Sequence, residues 1–196
     1  SSSITTVTIV GMVNAGLMSL TQAIGVIFGA NIGTTITGWI LAIKVGKYGL
    51  LFIALGAVPM MFAKRDQMKD YGRLLVALGF IFIGLKTMSG AFKPLRTDET
   101  FLYYLQYFTA DSYLSLLGCI VMGCILTMIV QSSSAMLGIT IGLAVTDVIT
   151  FQTAMALVLG ENIGTTITAL LASIGTNVTA TRAARAHASF NLLGVG

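Results

Sequence analysis

Three features of the sequence predict an all-α membrane protein assembled from two repeats, each carrying a re-entrant helical hairpin. Hydrophobic residues make up 56% of the chain and charged residues only 9%, against roughly 25% charged in a soluble domain. The apolar segments are repeatedly interrupted by Gly, Ser, Thr and Asn, so the membrane helices are expected to be broken ones. Finally, the phrase GANIGTTITGWILA, starting at Gly29, returns as GENIGTTITALLAS from Gly160. The net charge of +4 does not point to nucleic acid, because the basic residues sit in short flanks such as Lys44–Lys47 and Lys64–Lys69 between apolar runs. Topology-setting charges lie in such places.

The repeat fixes the order of the elements. Sliding the chain over itself until Gly29 falls on Gly160 aligns Ser1–Ile43 with Ser132–Ile174 without a gap and gives 14 identities in 43 positions. Seven are consecutive, Asn31–Thr37 against Asn162–Thr168, and the serine triplets Ser1–Ser3 and Ser132–Ser134 keep the same offset. Each copy then reads as a triplet, an apolar run, a polar break, a second run, the NIGTTIT phrase and a further apolar segment. The breaks are VNAGLMSLTQ (Val13–Gln22) and AVTDVITFQT (Ala144–Thr153). Runs of about ten to fourteen residues are too short to span a bilayer but fit a re-entrant hairpin. Irregular backbone at membrane depth survives only beside protein or a wet cavity, which two facing hairpins would enclose.

Between the copies, Tyr48–Ala63, Leu74–Phe92 and Tyr113–Val130 read as plain helices, separated by a basic linker, Lys64–Arg73, and a wetter one, Lys93–Ser112, containing KPLRTDET. Residues 1–92 therefore form a first repeat, 93–112 a linker and 113–196 a second repeat. The abrupt opening on SSSITT and the stop inside an apolar stretch make the chain read as a fragment whose second repeat is truncated.

The polar phrases carry the chemistry. Gln131, Ser132, Ser133 and Ser134 crowd four hydrogen-bonding side chains into one turn, and Thr165, Thr166 and Thr168 add three more, without a carboxylate pair. Hydroxyl and carbonyl oxygens suit a hard monovalent cation such as Na⁺, whereas a divalent ion usually draws carboxylates. The same hydroxyls can donate outward to an oxyanion, helped by free N–H groups where half-helices begin and by the close backbone approach that Gly33 and Gly164 permit. The alternative is that the hydroxyls bond back to backbone carbonyls or join helices. Glu161, whose counterpart is Ala30, either serves a cation site or caps a half-helix starting near Asn162. Asp147 is expected at a watery hairpin tip, Arg182, Arg185 and His187 as a topology-setting flank rather than a guide for anions, Cys119 and Cys124 as packing residues, and Trp39 as an interface anchor or packing residue rather than a gate. His187 has no partners for a metal site. No His or Lys base stands near either triplet, so no enzyme is expected.

QSSSA at Gln131–Ala135 followed by GENIGTTIT, the mirrored SSS and GANIGTTIT, and the tail TRAARAHASFN at Thr181–Asn191 resemble the sodium-phosphate cotransporter family, its bacterial members in particular. The resemblance implies inverted-topology repeats and Na⁺-driven transport of inorganic phosphate by alternating access, in a multi-pass protein of the cell membrane, the bacterial inner membrane. Na⁺ would be the co-transported ion, with no organic cofactor; lipid is the surrounding partner and a homodimer an open expectation. By the same resemblance Gln131, Ser132, Thr165 and Thr168 match sodium positions, and Ser133, Ser134 and Asn162, with Ser2, Ser3, Asn31 and Thr34 of the first copy, match the phosphate site. The first copy lacks the corresponding Gln because the chain begins at Ser1. A sodium-independent exporter or uniporter of phosphate or another oxyanion, and a non-transporting membrane scaffold or signalling protein, are the competing readings. Inversion needs an odd number of crossings between copies, which makes Ile32–Ile43, about 18 Å if straight, one half of a broken helix. The two serine triplets are then expected to converge near mid-membrane about a pseudo-twofold axis.

Overall fold

In the computed structural model of the protein, which describes residues 2–42, 48–92, 94, 97–100, 103, 109–110 and 112–195, the repeat is visible in the chemistry of the turns. The first hairpin joins α1 (Ser2–Asn14) to α2 (Leu20–Ala42). Gly16 takes the left-handed conformation at φ 73°, the Leu17 N–H reaches back to the Met12 carbonyl at 2.9 Å, and Ser19 and Gln22 exchange capping bonds of 3.0 and 3.4 Å. This is a Schellman stop followed by a capping-box start. In the second hairpin, described below, each position recurs in the register of the repeat. Asp147 is left-handed at φ 53°, the Val148 N–H bonds the Leu143 carbonyl at 2.9 Å, and Thr150 caps the Thr153 N–H at 3.2 Å. Asp replaces Gly at the strained position because its short polar side chain tolerates that region.

Between the hairpins, α3 (Gly49–Phe62) and α4 (Asp66–Phe92) pack as an antiparallel pair. A Cβ on Gly56 would lie 2.6 Å from the Gly72 carbonyl oxygen, and one on Gly79 2.7 Å from that of Gly49. Glycines seven residues apart on each helix thus let the backbones touch. The basic linker expected over Lys64–Arg73 is mostly helix instead. Asp66 places a negative charge in the first turn of α4, where the helix dipole favours it, and Asp66–Lys69 and Asp70–Arg73 pair along the surface at 3.6 and 2.7 Å. The linker 93–112 falls largely outside the described residues.

Helix α5 (Tyr113–Val130) opens on a Ser112–Ser115 capping box and leads into the second hairpin, α6 (Ser133–Val145) and α7 (Phe151–Gly164), followed by α8 (Ile167–Ala172) and α9 (Val178–Val195). α5 lies against α7 through glycines: a Cβ on Gly160 would strike the Ile120 carbonyl, and one on Gly164 would lie 2.8 Å from Thr127 Cβ. Cys119 packs beside Ile120 and Ala156 in the same seam. The expectation that Ile32–Ile43 is half of a broken helix is not met: α2 runs unbroken for 23 residues, about 34 Å at 1.5 Å per residue. The break occurs in the second copy alone, at Thr165–Thr166. Threonines back-bond to the preceding turn in both copies, Thr35 to Ile32 and Thr166 to Ile163. Only in the second does a neighbouring helix press on the glycine of the motif, since a Cβ on Gly33 would meet nothing.

The first hairpin is seated on the end of the second copy. Ile9, Val10 and Val13 of α1, Ala23 and Ile27 of α2, Ala169 of α8 and Ala180, Ala183 and Ala184 of α9 form one core, and Asn14 at the hairpin tip bonds Asn177 before α9 at 2.8 and 3.1 Å. The exterior is apolar, with Leu50, Phe62, Leu114 and Ile129 exposed, while Thr6, Thr127, Thr140, Thr153, Glu161 and His187 are buried. Among the described residues, Tyr113–Val130 and the α7–α8 stretch Phe151–Ala172 are long and apolar enough to cross a membrane.

Gly160→Ala should destabilise the fold by about 1–3 kcal/mol, because the α5 backbone must move. Its repeat counterpart Gly29→Ala, in open space, should be neutral or stabilising by up to about 1 kcal/mol through helix propensity. Thermal unfolding of both variants in detergent decides; equal losses would contradict the packing described.

Candidate functional site

The two polar phrases face each other across a cavity of about 380 Å³. Ser2, Asn31 and Thr34 line it from the first copy and Ser133, Asn162 and Thr165 from the second. These are three pairs in the register that places Gly29 on Gly160. A helix start supplies the serines, α1 for Ser2 and α6 for Ser133; α2 supplies Asn31 and Thr34 three residues apart on one face, and α7 supplies Asn162 with Thr165 as its C-cap. A smaller cavity of about 130 Å³ shares Ser2 and Thr34 and is closed by Thr37 and Ser134. Members of both serine triplets therefore meet in one polar space. Ser1 lies outside the described residues.

The remaining candidates are placed differently. Ser3 is buried and lines neither cavity. Gln131 ends α5 in the left-handed conformation at φ 55°, with its N–H on the Thr127 carbonyl. Ser132 is the cap of α6, its hydroxyl oxygen accepting from the Ala135 N–H at 3.3 Å. The Thr168 hydroxyl donates to the Thr165 carbonyl at 3.1 Å. Of the four positions matched to sodium, Thr165 alone lines the main cavity, and its hydroxyl is buried without a hydrogen-bond partner. The back-bonding alternative thus describes Thr166 and Thr168, and also Thr34 toward Ala30 at 3.1 Å.

The cavity is uncharged: its neutral hydrogen-bonding side chains share the wall with Ile32, Leu137, Val158 and Phe190, and among the described residues lining it there is no Asp, Glu, Lys, Arg or His. The Asn31 amide nitrogen is a second buried group without a partner. Buried donors left unpaired are exceptions that call for an explanation, and a ligand between the phrases would supply one. Glu161 is almost fully buried, and its carboxylate accepts a 2.6 Å bond from the Thr140 hydroxyl on α6. It does not cap a helix beginning near Asn162, because α7 runs through that residue to Gly164 and puts Glu161 in its last turn.

Sequence reasoning missed the contribution of α9. Phe190 and Asn191 line the main cavity, Phe190 stacks on Phe28 of α2 with centroids 4.3 Å apart, and His187 Nε2 lies 3.1 Å from Asn31 Oδ1. The available signal was the spacing of His187, Phe190 and Asn191, which puts all three on one helical face, next to alanines small enough for close packing. Arg182 and Arg185 are exposed, and so is Asp147 at the hairpin tip.

The sequence model of the family described as Na+/Pi-cotransporter matches residues 1–90 and 97–193. The chain is 35% identical to "Uncharacterized protein YqeW" of Bacillus subtilis over all of this chain and 62% of that protein. It is 28% identical to "Putative inorganic phosphate export protein YjbB" of Escherichia coli K12 over 99% of this chain and 35% of that protein. It is 34% identical to human "Sodium-dependent phosphate transport protein 2B" over 50% of this chain and 14% of that protein. The chain thus spans less than two thirds of the length of each of these relatives. No solved structure matches it.

Thr140→Val removes the donor to a buried carboxylate and should lower stability by about 1.5–3 kcal/mol, the range for hydrogen bonds to charged groups. Thr140→Ser keeps the donor and should stay near wild type. Detergent melting curves in which Val and Ser behave alike would show that the Thr140–Glu161 bond stabilises nothing.

Proposed function

Because the chain belongs to the Na+/Pi-cotransporter family, we propose that it carries inorganic phosphate across the membrane together with sodium, through the cavity shared by the two repeats. One observation carries this reading: three repeat-related pairs of neutral hydrogen-bonding residues converge on a single space without a charged side chain. An oxyanion entering such a space loses hydration and finds donors but no countercharge, which is costly in a low-dielectric setting. A monovalent cation entering with it removes much of that cost, and oxygen ligands of the kind Thr165 offers suit Na⁺. Linkage then makes each ion raise the affinity for the other.

The repeats supply the means of transport in this proposal. Hairpins of the same build on either side of one site, related by inverted topology and re-entrant from opposite faces, can expose the site alternately as one repeat moves against the other. Ser2, Ser3, Asn31, Thr34, Ser133, Ser134 and Asn162 take phosphate; Gln131, Ser132, Thr165 and Thr168 take sodium. For Gln131, Ser132 and Thr168 this requires the α5–α6 junction and the α7–α8 break to rearrange as sodium binds. A second reading is phosphate export without sodium; the export part of it is favoured by the E. coli relative, whose name is that of a putative inorganic phosphate export protein.

Phosphate uptake into liposomes, measured at low and saturating sodium, separates the readings. Thr165→Ala should weaken sodium activation and lose phosphate affinity chiefly when sodium is scarce. Ser133→Ala should lower phosphate affinity at every sodium concentration, by about tenfold or more for one lost hydrogen bond to a charged group. Wild-type flux indifferent to sodium would remove sodium coupling and leave the export reading.

A further inference from the structure

His187 is the only histidine in the sequence, is 0% exposed, and belongs to none of the functional sets above. Its Nε2 lies 3.1 Å from Asn31 Oδ1, while His187 Nδ1 and Asn31 Nδ2 are both buried without a partner. The helix that carries the ring is held in place on several sides. Ala180, Ala183 and Ala184 seat α9 in the core shared with α1 and α2, Phe190 stacks on Phe28 one turn away, and the Asn191 amide donates to the His187 carbonyl at 2.9 Å. We propose that His187 is a positioning residue for anion binding: its Nε2–H holds the Asn31 side-chain oxygen, so that the Asn31 NH₂ is presented to the main cavity as an oxyanion donor. The inference rests on the phosphate reading above and deepens it.

An asparagine amide can face a site with either end, and its neighbour decides which. If the imidazole accepted a proton from Asn31, the asparagine would turn its carbonyl to the cavity and favour a cation. That tautomer would also leave an N–H at Nδ1 buried without an acceptor, and orphaned buried N–H groups are rarer than orphaned acceptors. With the proton on Nε2, Nδ1 keeps only an unused lone pair, and the one donor left over is the Asn31 NH₂ beside the cavity. Because His187 is the only histidine in the sequence, no second imidazole can stand at Asn162, and the arrangement acts on Asn31 alone.

The test is uptake of inorganic phosphate into liposomes at saturating sodium by wild type, His187→Leu, His187→Gln, Asn31→Ala and the double variant His187→Leu/Asn31→Ala. His187→Leu and Asn31→Ala should each raise the KM for phosphate about tenfold, the size of a lost hydrogen bond to a charged group. The double variant should be no worse than either single one, the sodium concentration for half-activation should not move with His187→Leu, and His187→Gln, whose amide can donate to Asn31, should stay within about threefold of wild type. Should His187→Leu fail to insert, His187→Asn, polar but too short to reach Asn31, replaces it. Losses that add in the double variant, an unchanged KM with only a lower maximal rate, or failure of Gln to rescue would overturn the inference alone. Wild-type protein that carries no phosphate would overturn the reading it rests on, and the inference with it.

Discussion

Hydrocarbon offers no hydrogen bonds, and that constraint arranges this molecule. A hydroxyl or amide facing lipid is left unpaired at a cost of several kcal/mol, so a chain with an apolar exterior must turn its polar residues inward. Leu114 is 81% exposed while Thr6, Thr127 and His187 are fully buried. Inward hydroxyls find partners close by in the chain, Thr6 on the Ser2 carbonyl and Thr146 on that of Gly142, or across helices, Thr140 on the Glu161 carboxylate. The glycines answer the same constraint, since without a hydrophobic effect between helices in lipid, attraction comes from close backbone packing. Among the buried polar groups left without a partner, the Thr165 hydroxyl and the Asn31 amide belong to residues that line the cavity where the two phrases meet.

Duplication gives the two halves one vocabulary and different surroundings. The turns agree to the residue, Gly16 with Asp147 and Ser19 with Thr150, because a Schellman stop and a cap depend only on neighbours a few positions away. The motif helices disagree because their course depends on what packs against them. α5 presses on Gly160 and Gly164, and the chain breaks one residue later; their counterparts in α2, Gly29 and Gly33, meet nothing, and the helix continues.

The same distinction explains how much could be read from sequence. The repeat, the hairpin breaks, the helices Gly49–Phe62 and Tyr113–Val130, and the meeting of the serine triplets were all legible, because period, turn chemistry and polarity are local signals. The helical start of α4 was misjudged because charge suggested a linker, whereas Asp66 and Asp70 pair with Lys69 and Arg73 along a helix. The unbroken course of α2, the Thr140 partner of Glu161 and the approach of α9 were illegible for another reason. Each rests on a contact between residues 21 to 156 positions apart, as in Thr140–Glu161 and Asn31–His187, or on the lack of one. A single sequence does not pair such residues.

An uncharged cavity built from paired neutral groups has a chemical consequence beyond its shape. A site with a fixed lysine or arginine would hold an anion by itself and release it slowly, whereas neutral donors hold a desolvated oxyanion weakly until a cation shares the space. In the proposed symport, occupancy by both ions, or by neither, would be favoured over occupancy by one, which is what obligatory coupling requires of a carrier. In that light the carboxylate of Glu161 is where it should be: next to Asn162 in the chain, yet bonded to Thr140 and absent from the cavity lining. A negative charge inside would attract the cation alone and repel the anion, and the two would no longer bind as a pair.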